Sequence, residues 1–294
     1  MDLSHLTAQR LPRGLMLEAL PAQFDWRDQG KVTAVRNQGA CGSCYAFATV
    51  ANFESRLLVD GAGTFNLSEN HAKECNWREL SGFQNPPGTP FGSCDGGNGM
   101  MLASLFSQKG TVLESCDPYV ATDVACKTTC PYQQTLLDWR LISGNVVPST
   151  QVLKQYIHQH GPVHASMYVD ESEGFDGYYD GTETFDYTAS GAETNHGVLI
   201  VGWSNNLPPV PGGATPADGW IVKNSWGTGW GDGGYFYMTY DAANIGMYAS
   251  FVDDWQDYDP NGDLWYHDED GWSASLGGLG TTMWGLARFT APRD

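Results

Sequence analysis

Gln38-Gly39-Ala40-Cys41-Gly42-Ser43-Cys44-Tyr45 runs straight into an apolar segment, Ala46-Phe47-Ala48. From Cys44 onward the spacing of Phe47, Val50, Ala51, Leu57 and Leu58 predicts a helix over 44–60, with Gly61 as its stop. Cys44 therefore stands at a helix N-terminus, where the positive end of the peptide dipoles favours thiolate over thiol. A thiolate is the reactive form of cysteine, so this placement marks Cys44 as a candidate nucleophile. Taken alone, two cysteines three apart could equally be a metal or redox pair.

Two distant segments decide between these readings. Thr194-Asn195-His196-Gly197-Val198 and Lys223-Asn224-Ser225-Trp226-Gly227 carry a histidine and an asparagine in the order that a Cys-His-Asn site needs. With the 38–45 stretch they resemble the papain-like cysteine proteases, whose cysteine signature is C-G-[SA]-C-[WY]. Tyr45 stands where most members carry Trp. The separations are 196 − 44 = 152 and 224 − 44 = 180 residues. Insertions account for the excess over the usual distance of about 130–150.

The resemblance implies a division of labour. Cys44 is the nucleophile, and His196 is its ion-pair partner and proton carrier. Asn224 orients His196, and Trp226 shields their hydrogen bond. Gln38, with the backbone N–H of Cys44, faces the developing oxyanion. Gly96 and Gly97, Asn195 and Trp226 are implied in substrate binding, the glycines because an extended peptide must approach the main chain closely. The pocket for the second residue before the scissile bond is walled by Asn98, Gly99, Ser166, Thr194 and Gly197; Asn98-Gly99 replaces a usual Tyr-Pro and opens its floor. No His-His pair of the carboxydipeptidase kind is present, which leaves endopeptidase. The same thioester passed to an amine gives a transpeptidase or ligase, and a silent homologue would use the cleft as a peptide groove.

Seven cysteines make three pairs and one free thiol, as suits an exported protein. Family position pairs Cys41 with Cys94 and Cys75 with Cys126, leaving Cys116 and Cys130 to close a local loop. The expected location is extracellular or the cell surface. No run of 18 apolar residues occurs, so no transmembrane segment is expected, and residues 1–20 lack the core of a signal peptide. A net charge of −19 argues against nucleic-acid binding. The expected partners are polypeptide substrates and an inhibitory propeptide. Catalysis in this family requires no cofactor and no metal.

The 294 residues suit one two-lobed domain with an appendage. Residues 1–19 form an N-terminal extension or prosegment remnant, 20–250 the peptidase domain, and 251–294 an Asp/Trp-rich C-terminal extension. Helices are expected over 44–60, from Ser68 toward Cys75, over 98–109 and over about 150–160. Strands are expected at 163–169, 197–203, 220–223 and 235–240. Helices followed by strands give an α+β fold class: a papain-like two-lobed fold with a helical left lobe, a β-barrel-like right lobe and the active cleft between them. Residues 76–93 and 204–219, rich in Pro and Gly, read as inserted loops. The tail, with Gly271-Trp272-Ser273, resembles the start of an accessory β module in bacterial and archaeal surface members. Asp257, Asp259, Asn261 and Asp268 follow much of a calcium-loop pattern.

Overall fold

The computed structural model describes residues 19–76, 84–85, 89–90, 92–170, 172, 175, 180–189, 191 and 193–260. Its central element is helix α1 (Cys44–Val59), buried on nearly every face. It lies between helices α2 (Glu69–Glu74) and α3 (Gly99–Gln108) on one side and the sheet of the second lobe on the other. A helix enclosed all round must satisfy its polar side chains internally. Asn52 donates to the Pro162 carbonyl at 2.7 Å and accepts from Val252 N–H at 3.1 Å. Glu54 accepts from Thr33 Oγ1 at 2.6 Å and from Leu67 N–H at 2.8 Å.

Ser68 caps α2 by accepting from His71 N–H at 2.8 Å, and Asn98 caps α3 by accepting from Met101 N–H at 3.1 Å. Phe53, Leu57, Leu102, Leu105 and Phe106 form the core of this helical lobe. Fully burying each such side chain is worth roughly 1.5–3 kcal/mol. A two-strand hairpin, β2 (Gln84–Asn85) with β3 (Thr89–Pro90), lies in the first insertion. The lobe is stapled by the expected disulfides, Cys41–Cys94, Cys75–Cys126 and Cys116–Cys130.

The second lobe is an antiparallel sheet. Its strands are β1 (Phe24–Asp25), β4 (Gln134–Leu141), β5 (Val163–Met167), β6 (His196–Leu207), β7 (Ala217–Lys223), β8 (Tyr235–Thr239) and β9 (Met247–Asp257). The order is β4-β9-β5-β6-β7-β8, with β1 added to β6, so the sheet is open rather than closed. Helix α4 (Thr150–His160), capped by Ser149, packs on it. Trp203, Trp220, Phe236 and Phe251 are fully buried in this core.

The second lobe differs from the sequence reading in its strands. Strand β4 was unforeseen because its partner β9 is more than a hundred residues away. β9 runs through position 250, so the fold continues to Asp257. The 204–219 insertion is a loop at 208–216, as expected, whose flanks 204–207 and 217–219 lengthen the β6–β7 hairpin. For the calcium pattern, Asp257 ends β9, and Asn261 and Asp268 lie outside the described residues. Among the described residues no group of three or more His, Cys, Asp or Glu side chains converges on a metal position.

Candidate active site

Cys44 opens α1 and lines the cleft between the lobes, mostly buried. Its N-cap, Ser43, gives no side-chain bond to the first turn, so the helix end is left to the thiol. Cys41 is held in its disulfide and Cys44 is free, which removes the metal or redox pairing of these two cysteines. Gly42 N–H donates to the Cys94 carbonyl at 2.8 Å, and a Cβ at Gly42 would stand 2.5 Å from that oxygen. Only glycine permits this approach of the two chains.

His196 begins β6, opposite Met167 of β5, and is 7% exposed. Its ring hydrogen-bonds the Cys44 sulfur on one side, and on the other Nε2 lies 2.8 Å from Asn224 Oδ1. Burial pushes the Cys44 thiol up, but the hydrogen bond and the charge of His196 outweigh it and hold the thiol below its ordinary range. Burial likewise pushes His196 down, and the charge on Cys44 with the bonds from Cys44 and Asn224 raises it above its usual value. Opposite shifts on touching partners describe a thiolate–imidazolium pair. The Trp226 ring lies 5.0 Å from the His196 ring and packs edge-on to Trp230 at 4.9 Å, covering the His196–Asn224 bond.

Gln38 is brought to Cys44 by pairing between segments far apart in sequence. Gln38 N–H donates to the Ser225 carbonyl at 2.8 Å, and Gly227 N–H to the Arg36 carbonyl at 3.0 Å. The Gln38 side chain accepts from Ser225 Oγ at 2.6 Å, and its Nε2 donates one proton to the Cys41 carbonyl at 2.9 Å. A primary amide has a second donor to offer. Tyr119, which the sequence did not single out, ties this corner together. Its hydroxyl lies 2.7 Å from both the Gln38 carbonyl and Ser43 Oγ. No local pattern marks it, because its partners are 81 and 76 residues away.

The cleft encloses about 630 Å³ and is lined by Cys44, His196, Gly96, Gly97 and all five expected pocket residues. Gly96 has φ +101° and open space where a Cβ would stand. Asn195 lines the cleft but is committed elsewhere: it accepts from Val169 N–H at 2.6 Å and donates to the Val169 carbonyl at 2.9 Å. Asn98 is also occupied, as the cap of α3. Polar groups of the cleft include Asp95, Ser166 and Thr194, and also His164 and Ser250, which with Trp139, Leu141 and Tyr248 sequence reasoning did not find.

Known proteins place the geometry. The model of the papain family cysteine protease matches residues 20–252. Cysteine proteinase 1 of Entamoeba histolytica is 32% identical over 231 residues, covering 77% of this chain and 66% of that protein. A viral cathepsin from the Cydia pomonella granulosis virus is 33% identical, covering 79% and 62%. The bromelain protease of Ananas comosus, solved in complex with the E64 inhibitor, superposes with a TM-score of 0.63 at 25% identity, covering 79% of this chain and 98% of that one. The chain thus spans just under two thirds of these curated relatives. They come from a eukaryote and a virus, so the bacterial or archaeal kinship read from the tail has no support in them.

Proposed function

The chain belongs to the papain family of cysteine proteases, and from that premise we propose that it is a cysteine endopeptidase acting through a Cys44 thioester. The observation that carries the reading is the continuous Cys44–His196–Asn224 line with opposed shifts on its first two members. The thiolate attacks the scissile carbonyl carbon, and the oxyanion takes bonds from Cys44 N–H and the second Gln38 amide proton. His196 gives its proton to the departing amine, leaving a thioester and a neutral imidazole. Water then loses a proton to His196 and attacks the thioester; the acid departs and the thiolate–imidazolium pair returns. Asn224 fixes the ring plane throughout.

The substrates in this reading are extended polypeptides laid against Gly96 and Gly97. Three disulfides suit an oxidising compartment, hence an extracellular or cell-surface location. Procathepsin L2 of Tenebrio molitor is among the similar solved structures, at 29% identity and a TM-score of 0.63, which favours an inhibitory propeptide. The test is hydrolysis of fluorogenic peptide amides in a reducing buffer, with an epoxide probe located by peptide mapping. Thiol-dependent cleavage blocked by label on Cys44 supports the reading. Aminolysis products in large excess over hydrolysis would move it to a ligase, and neither cleavage nor labelling to a silent peptide binder.

A further inference from the structure

Asn66-Leu67-Ser68 is the only Asn-X-Ser/Thr stretch in the 294 residues. With a residue other than proline in the middle, this is the acceptor pattern for an N-linked oligosaccharide. Asn66 lies in the connection between α1 and α2, two residues before the Ser68 cap. Its carbonyl accepts from Glu114 N–H at 2.8 Å, which holds the backbone, while the residue itself is exposed. Space around the connection is open: a Cβ at Gly61 or Gly63 would meet nothing within 4 Å. Phe65 and Asn66, with Phe47 and Tyr119, line a cavity of about 480 Å³, so a first sugar has an aromatic wall to lie against. Asn66 does not line the catalytic cleft, and a substituent there leaves the path of a peptide open.

The hydroxyl of the pattern is in the opposite condition. Ser68 is 2% exposed. Its Oγ accepts from His71 N–H at 2.8 Å and donates to the Asp117 carbonyl at 2.6 Å. The main chain is engaged as well: Leu67 N–H donates to Glu54 at 2.8 Å, and Ser68 N–H to the Val112 carbonyl at 2.9 Å. The folded chain therefore offers the Asn66 amide but withholds the hydroxyl that the acceptor pattern requires. Asp117 lies 49 residues beyond Ser68. Until that part of the chain has arrived and packed, amide and hydroxyl are both free.

We propose that Asn66 receives an N-linked oligosaccharide during export, before α2 closes against residues 112–117. The donor is an oligosaccharide carried on a lipid-linked diphosphate, presented by a transferase of the secretory membrane. Asn66 Nδ2 attacks the anomeric carbon and forms the C–N bond. The C–O bond to the diphosphate breaks, the diphosphate leaves with the electron pair, and one amide proton passes to a base on the transferase. This rests on the reading of the protein as exported, and the test keeps the two apart. The Cys44→Ala chain is translated behind a secretory leader in the presence of rough microsomes, and Asn66 is mapped by mass spectrometry before and after peptide N-glycosidase. The protease-protected chain should carry the sugar on Asn66. Asn66→Gln and Ser68→Ala should lose it, and Ser68→Thr, which keeps the hydroxyl and the cap, should retain it. Folded, disulfide-intact protein given to solubilised microsomes should be left unmodified, while the reduced and denatured chain is modified. A protected chain without sugar, or equal modification of folded and denatured protein, overturns the proposal. In protein from its natural source, a bare Asn66 with the disulfides formed also overturns it. Free thiols there sink the export reading instead, and the leader-driven chain still decides Asn66.

Discussion

Replacing His71 by Phe should flatten the acid dependence of stability. His71 lies in α2, 2% exposed, with neither ring nitrogen in hydrogen-bond geometry with a partner. Its ring packs edge-on to Tyr132 at 6.0 Å, a contact that Phe can keep. Burial lowers its pKa from 6.5 to about 4. The folded state therefore keeps the ring neutral while the unfolded chain takes up a proton below pH 6.5. The group's contribution is fully present above pH 6.5 and is lost as pH falls toward 4. Between pH 7.5 and 4.5 the loss comes to about 2.5 kcal/mol, at about 1.36 kcal/mol per pH unit. Glu69, pushed up to about 8 by burial, acts in the opposite sense over the same range. The wild-type slope is thus a sum, and the difference between proteins isolates His71. Urea unfolding followed by tryptophan fluorescence at both pH values, on a Cys44→Ser background to prevent self-cleavage, measures it. If wild type and His71→Phe lose equal stability from pH 7.5 to 4.5, the reasoning that His71 is held neutral by burial is refuted.

Cys44→Ala should abolish turnover with circular dichroism unchanged, and His196→Ala should come close to it. Asn224→Ala should be milder, because it removes the orienting bond of 2.8 Å but neither reacting group; single-turnover rates rank the three. Tyr119→Phe removes the bonds to the Gln38 carbonyl and Ser43 Oγ. It should lower kcat about fivefold at constant KM and weaken a peptide aldehyde, whose adduct carries an oxyanion, while leaving epoxide labelling of Cys44 unchanged. An equal fall in labelling would instead mean general disorder at the helix start. Replacing Cys41 and Cys94 together by Ala opens a loop with a sequence separation of 53. It should cost about 2–4 kcal/mol in chemical denaturation.

The side chains proposed to react, which the fold brings together, were legible in the sequence because their patterns are local. A thiol at the first residue of a helix, an Asn-His-Gly strand start and an Asn-Ser-Trp-Gly turn each carry their purpose within five residues. The capped starts of α2 and α4 were legible for the same reason: a Ser side chain meets an N–H three residues on. What the tertiary structure alone decided is everything made by pairing at a distance. The register of β4 on β9 and β9 on β5 sets Leu141, Ser250 and His164 in one row. Neither strand announces its partner, because period-two alternation fixes a face but not a neighbour. Tyr119 reaches Gln38 and Ser43 only once the chain has folded back on itself. Asn195, expected to bind substrate, is spent on Val169 backbone groups that only the folded chain brings within reach.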